Sequence, residues 1–245
     1  MPETGILPAQ NSVQLRPQGT PQMLINADFS RRATVSGDEY QWIASPQAGV
    51  ERVMLDRIGE EKARATSIVR YAPNSHFPQH QHPGGEEILV LSGTFSDEMG
   101  NYPAGWYLRN PPGSKHQPFS DPGATIFVKL RQMPAEENQT VRVNTNDTNC
   151  WQQLTDREVC PLFSGGYEQV SLQRLQAGVP LFPASIQSAE LLILSGTLRV
   201  REQRFSKGSW IRLPAGEYPE FLAGSDGITY FEKKNHLGGA MDQSP

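Results

Sequence analysis

Cysteine is scarce in this chain: Cys150 and Cys160 are the 2 among 245 residues, and they form no CxxC pair. A disulfide framework is therefore excluded, and reduced thiols in a cytoplasmic protein are expected, with a pairing of the two left open. Long apolar runs are also lacking. Stretches such as Ile88 to Leu91 fall far short of the roughly 20 residues a membrane helix needs. No charge of one sign dominates, since 22 Lys and Arg face 26 Asp and Glu for a net charge of -4. That leaves no basic stripe for nucleic acid and no acidic tail. Residues 1–20 show no basic segment followed by an apolar one, so secretion is not expected. No Gly-rich phosphate loop is present, and no nucleophile motif points to a hydrolase. Helix signals are few, whereas 20 prolines and 22 glycines suit a turn-rich β protein.

What the chain does have is a cluster of metal-ligand side chains at a telling spacing. His80-Gln81-His82 is followed by Pro83-Gly84-Gly85 and then Glu86. Two imidazoles two residues apart on a strand point the same way. The tight Pro-Gly-Gly turn lets the chain bring Glu86 back to that face. His116 arrives from a later strand, after Gly105, Pro111 and Gly113. Three imidazoles and one carboxylate suit one divalent transition metal per chain: zinc first, with iron, manganese, nickel or copper as alternatives. His76 lies outside the pattern and reads as a loop residue; His236 sits in a polar tail and reads as solvated.

A second pattern is an internal repeat. Glu87-Ile88-Leu89-Val90-Leu91-Ser92-Gly93-Thr94 returns as Glu190-Leu191-Leu192-Ile193-Leu194-Ser195-Gly196-Thr197. At the same offset of 103 residues, Gly105 maps to Gly208, Pro111 to Pro214 and Gly113 to Gly216. Ile126-Phe127-Val128 falls opposite Thr229-Tyr230-Phe231. The copy keeps the scaffold and discards the ligands. His80 becomes Pro183, His82 becomes Ser185, Glu86 becomes Ala189 and His116 becomes Pro219. The second unit is thus expected to bind no metal in this way. If Glu86 faces inward, period two puts Ile88 and Val90 inside and turns Leu89 and Leu91 outward. That outward apolar row requires a cover, either the second unit of a pseudo-twofold monomer or another chain of a homodimer.

The two pieces of the metal pattern resemble the paired motifs of the cupin superfamily, HxHxxxE with a later Gly and then Gly, Pro-x-Gly and His. The match departs from the usual form at Ser120, where cupins carry Asn. A narrower resemblance covers nearly all of the first unit. Trp42 to Val50, Ala65 to Pro73, His80 to Glu87, Phe95 to Gly100, Gly105 to Pro111 and Phe127 to Leu130 are similar to the cupin-like domain of the ChrR family. The resemblance implies an all-β fold of two cupin barrels (jelly rolls, or double-stranded β-helices) in tandem, the second degenerate. It implies that His80, His82, Glu86 and His116 meet as metal ligands inside the first barrel. The expected organisation is an arm at 1–22, a metal-binding domain at 23–133, a polar linker at 134–150, a degenerate domain at 151–236 and a tail at 237–245.

The best-known ChrR members are anti-sigma factors that respond to oxidative stress through a separate helical zinc domain. Residues 1–40 here contain neither His nor Cys, so direct sigma-factor binding is not expected. The resemblance implies a sensing or binding protein with a small-molecule or oxidant ligand. Two alternatives are an iron dioxygenase acting on a small dicarbonyl or hydroxyketone, as in related cupins, and a structural-zinc scaffold. Glu87 and the Asp97-Glu98 pair are candidates to support the ligands. Arg109 could orient an anionic ligand or pair with a carboxylate, and Tyr107 and Trp106 could line a pocket or serve in packing.

Overall fold

The computed structural model describes residues 23–60 and 62–237. The expected arm at 1–22, and the tail beyond Leu237, lie outside the described residues. Among those residues there are strands and a single 3-10 turn, Thr148–Cys150. No described helix is long and apolar enough to cross a membrane.

The strands form two antiparallel jelly-roll units. In the first, Val50–Ile58, Arg64–Tyr71, Ala124–Leu130, Glu86–Asp97 and Trp106–Asn110 lie side by side in that order. In the second, Arg157–Ser164, Gln169–Leu175, Phe221–Lys234, Ala189–Val200 and Trp210–Leu213 repeat it. Alternation sorts each strand as expected. Ile88 and Val90 pack inside the first barrel with Phe95, Tyr102, Leu108 and Ile126. Leu89 and Leu91 face out, into an apolar core shared with Leu162, Leu172, Leu192, Trp210 and Phe231 of the second barrel. The outward row is therefore covered within the chain.

Each barrel also borrows an edge strand. Val141–Asn144, inside the segment expected as a linker, pairs with Trp106–Asn110 of the first barrel. Ala33–Val35, early in the chain, pairs with Trp210–Leu213 of the second. The exchange is reciprocal, and it caps one open edge of each sheet.

The repeat holds with one adjustment. Lys129 lies across from Glu87, and Lys233 across from Glu190. Phe127 is thus equivalent to Phe231, not to Tyr230, because the second copy has gained one residue beyond Gly216. Gly93 and Gly196 mark where the copies still agree. Both have positive φ, and a Cβ at either would strike the carbonyl oxygen of Gly123 or Gly227 respectively. The one-residue gain matters because a slip of one reverses every side chain. It places Phe231 against Phe127, with ring centroids 5.2 Å apart, and it aims Lys233 at the first barrel.

Buried charges cross the shared core in reciprocal pairs. Lys129 Nζ lies 2.6 Å from Glu190 Oε2, and Lys233 Nζ lies 2.5 Å from Glu87 Oε2. Arg212 reaches Asp56 at 3.0 Å, while Arg109 reaches Glu168 at 2.7 Å. Burial disfavours ionisation of Glu87 and Glu190, but the facing lysines outweigh it and lower both carboxyls.

His236 is part of this network and not a solvated tail residue. Its side chain is 2 % exposed, with Nε2 3.1 Å from Glu190 Oε2. Burial is the main influence on its imidazole and depresses its pKa to about 4, despite the carboxylate beside it. The charged and polar run before it, Glu232 to Asn235, concealed this position; Leu237 also turns into the protein.

Candidate metal centre

His80 and His116 are held across from one another in a two-stranded ribbon, His80–Gln81 against Lys115–His116. Just beyond it, the His82 backbone N–H donates to the Ser114 carbonyl at 2.9 Å, and its carbonyl accepts from Gly113 at 2.9 Å and Gly85 at 3.2 Å. The turn through Gly85, at φ +76°, then delivers Glu86 as the first residue of Glu86–Asp97. Three short elements thus aim four side chains at one point.

The potential ligand atoms of His80, His82, Glu86 and His116 all lie within 4.8 Å of one another. Glu86 Oε2 is 3.5 Å from both His82 Nε2 and His116 Nε2. Two atoms each about 2.1 Å from one ion sit roughly 3.0–3.4 Å apart at octahedral to tetrahedral angles, so this spacing suits a shared metal. Each Nδ1 is engaged elsewhere: His80 with the Pro78 carbonyl at 3.1 Å, His82 with Ser114 Oγ at 3.3 Å and His116 with Asp97 Oδ2 at 3.3 Å. The carbonyl and the carboxylate take the Nδ1–H of His80 and His116, leaving Nε2 as the free lone pair of each, and the Nε2 atoms of His82 and His116 face Glu86 at the centre. The Nε2 atoms of His82 and His116 are buried without a hydrogen-bond partner. Such atoms are costly unless something else binds them, and a cation does. The donor set therefore fits a metal ion, as read from the sequence.

The surrounding charge agrees. Burial lowers the His82 pKa and keeps that ring neutral, as a ligand must be. At His116 burial acts in the same direction, but the Asp97 hydrogen bond and the Glu86 charge outweigh it and raise the pKa. Asp97 resists ionisation through burial, yet its bonds to His116 and the Met99 N–H leave it below the ordinary range. Two buried carboxylates, Glu86 and Asp97, thus oppose the charge of a divalent ion.

Three side chains expected near the ligands lie elsewhere. Glu87, Tyr107 and Arg109 project from the opposite face of the same sheet, as period two requires once Glu86 points inward. Arg109 Nη2 donates to Tyr167 Oη at 2.6 Å and lies 3.4 Å from Glu137, while Nη1 faces Glu168 and Glu87. Its guanidinium also stands 3.8 Å from the Phe163 ring centroid. It is committed to the contact between barrels and is not available to a ligand at the metal. Tyr107 is fully buried in that same contact. Trp106 does face the barrel interior, edge-on to Tyr102 at 5.5 Å. Glu98 sits on the rim, accepting from the Gln117 N–H at 2.8 Å, beside but not on His116. His76 is exposed and stacks on Phe119, apart from the cluster.

Sequence reasoning missed Asn110 and Arg142. Asn110 lies across from Glu86 and donates to its Oε2 at 2.9 Å. Arg142, on the borrowed strand, donates to Asn110 Oδ1 at 2.7 Å. The signal for Asn110 was its place at the end of a strand near the Pro111 motif. Arg142 had none, because its partner is set by tertiary pairing.

Residues 30–134 match the family model of the ChrR Cupin-like domain. No curated protein matches the chain in sequence. Solved cupin structures share the fold. A Nostoc punctiforme protein described as a "putative dioxygenase" superposes with a TM-score of 0.65 at 16% identity, covering 88% of this chain and 83% of its own. A Pseudomonas aeruginosa protein described as a "putative glyoxylate induced protein" gives 0.65 at 14% identity, with 89% and 92% covered. An Escherichia coli pirin in complex with nickel(II) gives 0.60 at 11% identity, with 83% and 98% covered. The first unit is thus similar to the ChrR Cupin-like domain over residues 30–134, within a two-barrel cupin fold.

Proposed function

We propose that this chain is a mononuclear metal-binding bicupin whose first barrel presents its metal to a small oxygen-bearing ligand, as a binding or sensing protein. One observation carries this reading. The second barrel fills the corresponding interior with Phe182, Tyr218 and Phe221, packed with centroids 5.4–6.2 Å apart, and needs no ligand set. Apolar packing is the cheaper way to fill a barrel. Three imidazoles and a carboxylate kept in the other copy therefore argue for chemistry, not scaffold zinc. His80 is the least buried of the four ligands. Its side is where a ligand would enter, in place of an approach past Arg109.

The dioxygenase reading stands second. Four protein ligands around a six-coordinate iron leave two positions for substrate and oxygen, and one structural relative bears the dioxygenase description quoted above. A monomer is favoured because each barrel already covers the other's apolar face.

The test is metal analysis of protein purified without added metal, followed by stripping and reloading with zinc, iron, manganese or nickel. One metal per chain is expected, and the stripped protein should stay folded. Metal-dependent binding of small oxyacids should follow; oxygen uptake with a dicarbonyl on iron would favour the enzyme. Unfolding on stripping, with no ligand response for any metal, would return the site to a structural role.

A further inference from the structure

Cys150 and Cys160 take no part in the metal centre, yet their placement is specific. Cys150 ends the 3-10 turn Thr148–Cys150, a few residues after the borrowed strand Val141–Asn144. Cys160 lies within Arg157–Ser164 of the second barrel, fully buried in the core between the barrels, and Cys150 packs half-buried against that core. Both are free thiols, with Sγ atoms 2.7 Å apart. The turn holding Cys150 is fixed by the Asp147 side chain accepting from the Asn149 N–H, and by Trp151 Nε1 donating to the Thr145 carbonyl at 2.9 Å. Two thiols held together at a domain boundary, one reachable and one sealed, suit a reaction that begins at one sulfur and ends between them.

We propose that Cys150 and Cys160 form a reversible oxidation site, closed to a disulfide by a hydroperoxide, which staples the strand lent to the first barrel onto the second. The Cys150 thiolate attacks a peroxide oxygen; the S–O bond forms, the O–O bond breaks, and the departing oxygen takes a proton to leave as water or an alcohol. Cys160 then attacks the Cys150 sulfur. The S–S bond forms, the S–O bond breaks, and water departs with the Cys160 proton. Two thiols lose two electrons and two protons, and the peroxide is reduced. The order follows from exposure. Burial raises the Cys160 pKa, with Cys150 adding to it, so Cys160 suits the second step. The Arg174 guanidinium, 3.7 Å from the Trp151 ring centroid, opposes that rise at Cys160 without overcoming it. The site is independent of the metal, although the stapled strand carries Arg142, whose bond to Asn110 supports Glu86.

The experiment treats the native, full-length protein with hydrogen peroxide, blocks free thiols under denaturing conditions with an alkylating agent, and reads the intact mass. The expected product is monomeric, lower in mass by two hydrogens and without label, and it takes two labels after dithiothreitol. Its thermal midpoint should exceed that of the reduced protein and fall back on reduction. Methionine oxidation adds oxygen and separates by mass. Cys150→Ser should stop at a singly labelled or sulfenic monomer, while its unoxidised midpoint stays near wild type. Two labels on folded wild type after peroxide, a disulfide only between chains, or an unchanged midpoint on oxidation would each overturn the proposal.

Discussion

The two barrels share a scaffold and differ in what occupies the same interior. Where the first carries Glu86 across from Asn110, the second carries Ala189 across from Leu213. The second packs Phe182, Tyr218 and Phe221 there, an apolar solution to the same cavity. On the outer faces the copies agree: Glu87 and Glu190, Arg109 and Arg212, Lys129 and Lys233 all remain charged and buried. Duplication thus preserved the surface by which the halves grip each other and released the interior of one half. Charge at the contact is a poor choice for raw stability but it fixes register, since each lysine finds its carboxylate only when the barrels are seated correctly.

That comparison is most exposed at the lysines. Lys233 contacts two carboxylates, Glu87 at 2.5 Å and Glu168 at 2.9 Å, whereas Lys129 has Glu190 and the Thr66 hydroxyl. Burial opposes both ammonium groups, yet it wins only at Lys129, whose pKa falls; that of Lys233 rises. Lys233→Met leaves Arg109 as the remaining cation beside two buried carboxylates and should cost about 3–5 kcal/mol in chemical denaturation. Lys129→Met should cost less. Equal losses would mean that the two halves of the contact are energetically alike.

Removing a ligand separates the barrels by function. His82→Ala should weaken metal binding by more than about 100-fold, beyond the 10–100-fold typical of supporting groups, as read by competition with a chelating dye. Ser185→Ala, at the position expected to correspond in the second barrel, should leave the wild-type stoichiometry unchanged. Two metals per chain in either protein would end the asymmetry.

The shared core should also respond to acid. His236 faces Glu190, with Lys129 and Lys233 nearby, and folds with its pKa depressed to about 4. Between roughly pH 6.5 and 4 the unfolded chain therefore binds more protons, and stability falls as pH falls through that window. A shift of this size corresponds to about 3 kcal/mol by pH 4. Below the ordinary Glu range, loss of the lowered Glu87 and Glu190 carboxylates adds to the decline. His236→Gln should flatten the first part of the curve in pH-dependent urea melts and spare the second.

The candidate ligands were legible because they sit in two short motifs whose glycines and proline dictate turns. The barrels were legible because an eight-residue strand returns nearly unchanged. What stayed hidden depends on pairing between distant segments. Arg109 read as either a ligand-orienting or a carboxylate-pairing residue, and only the sheet face decides for the carboxylates, although the alternation that turned Leu89 outward already implied the side for Glu87. Phe231 was misplaced by one, because a single added residue in a loop leaves no trace in composition. Arg142 lay in a polar stretch that reads as a linker, and only the strand exchange gives it a partner. His236 looked solvated because its neighbours in sequence are polar, while its neighbours in space are the barrel core.

The finest distinction between the halves is one side chain, Asn110 against Leu213. Asn110 donates to Glu86 Oε2 and accepts from Arg142 Nη2, so it holds the carboxylate in place without touching the metal. Asn110→Leu installs the second barrel's residue, with similar volume and no donor. Leu108 and Ile88 already make that interior apolar, so the fold should tolerate the change. Arg142 keeps its bonds to the carbonyls of Arg109 and Val141, which limits the cost of losing the amide. Metal affinity should fall about 10-fold, the low end for a supporting hydrogen bond, with one metal still bound per chain at saturation. Arg142→Met should produce a smaller loss in the same direction, because it removes only the group behind Asn110. If Asn110→Leu binds metal as wild type does, Glu86 is positioned by its strand alone and the hydrogen bond is incidental. If it abolishes binding altogether, Asn110 does more than orient the carboxylate, and a single substitution suffices to convert the first barrel into a copy of the second.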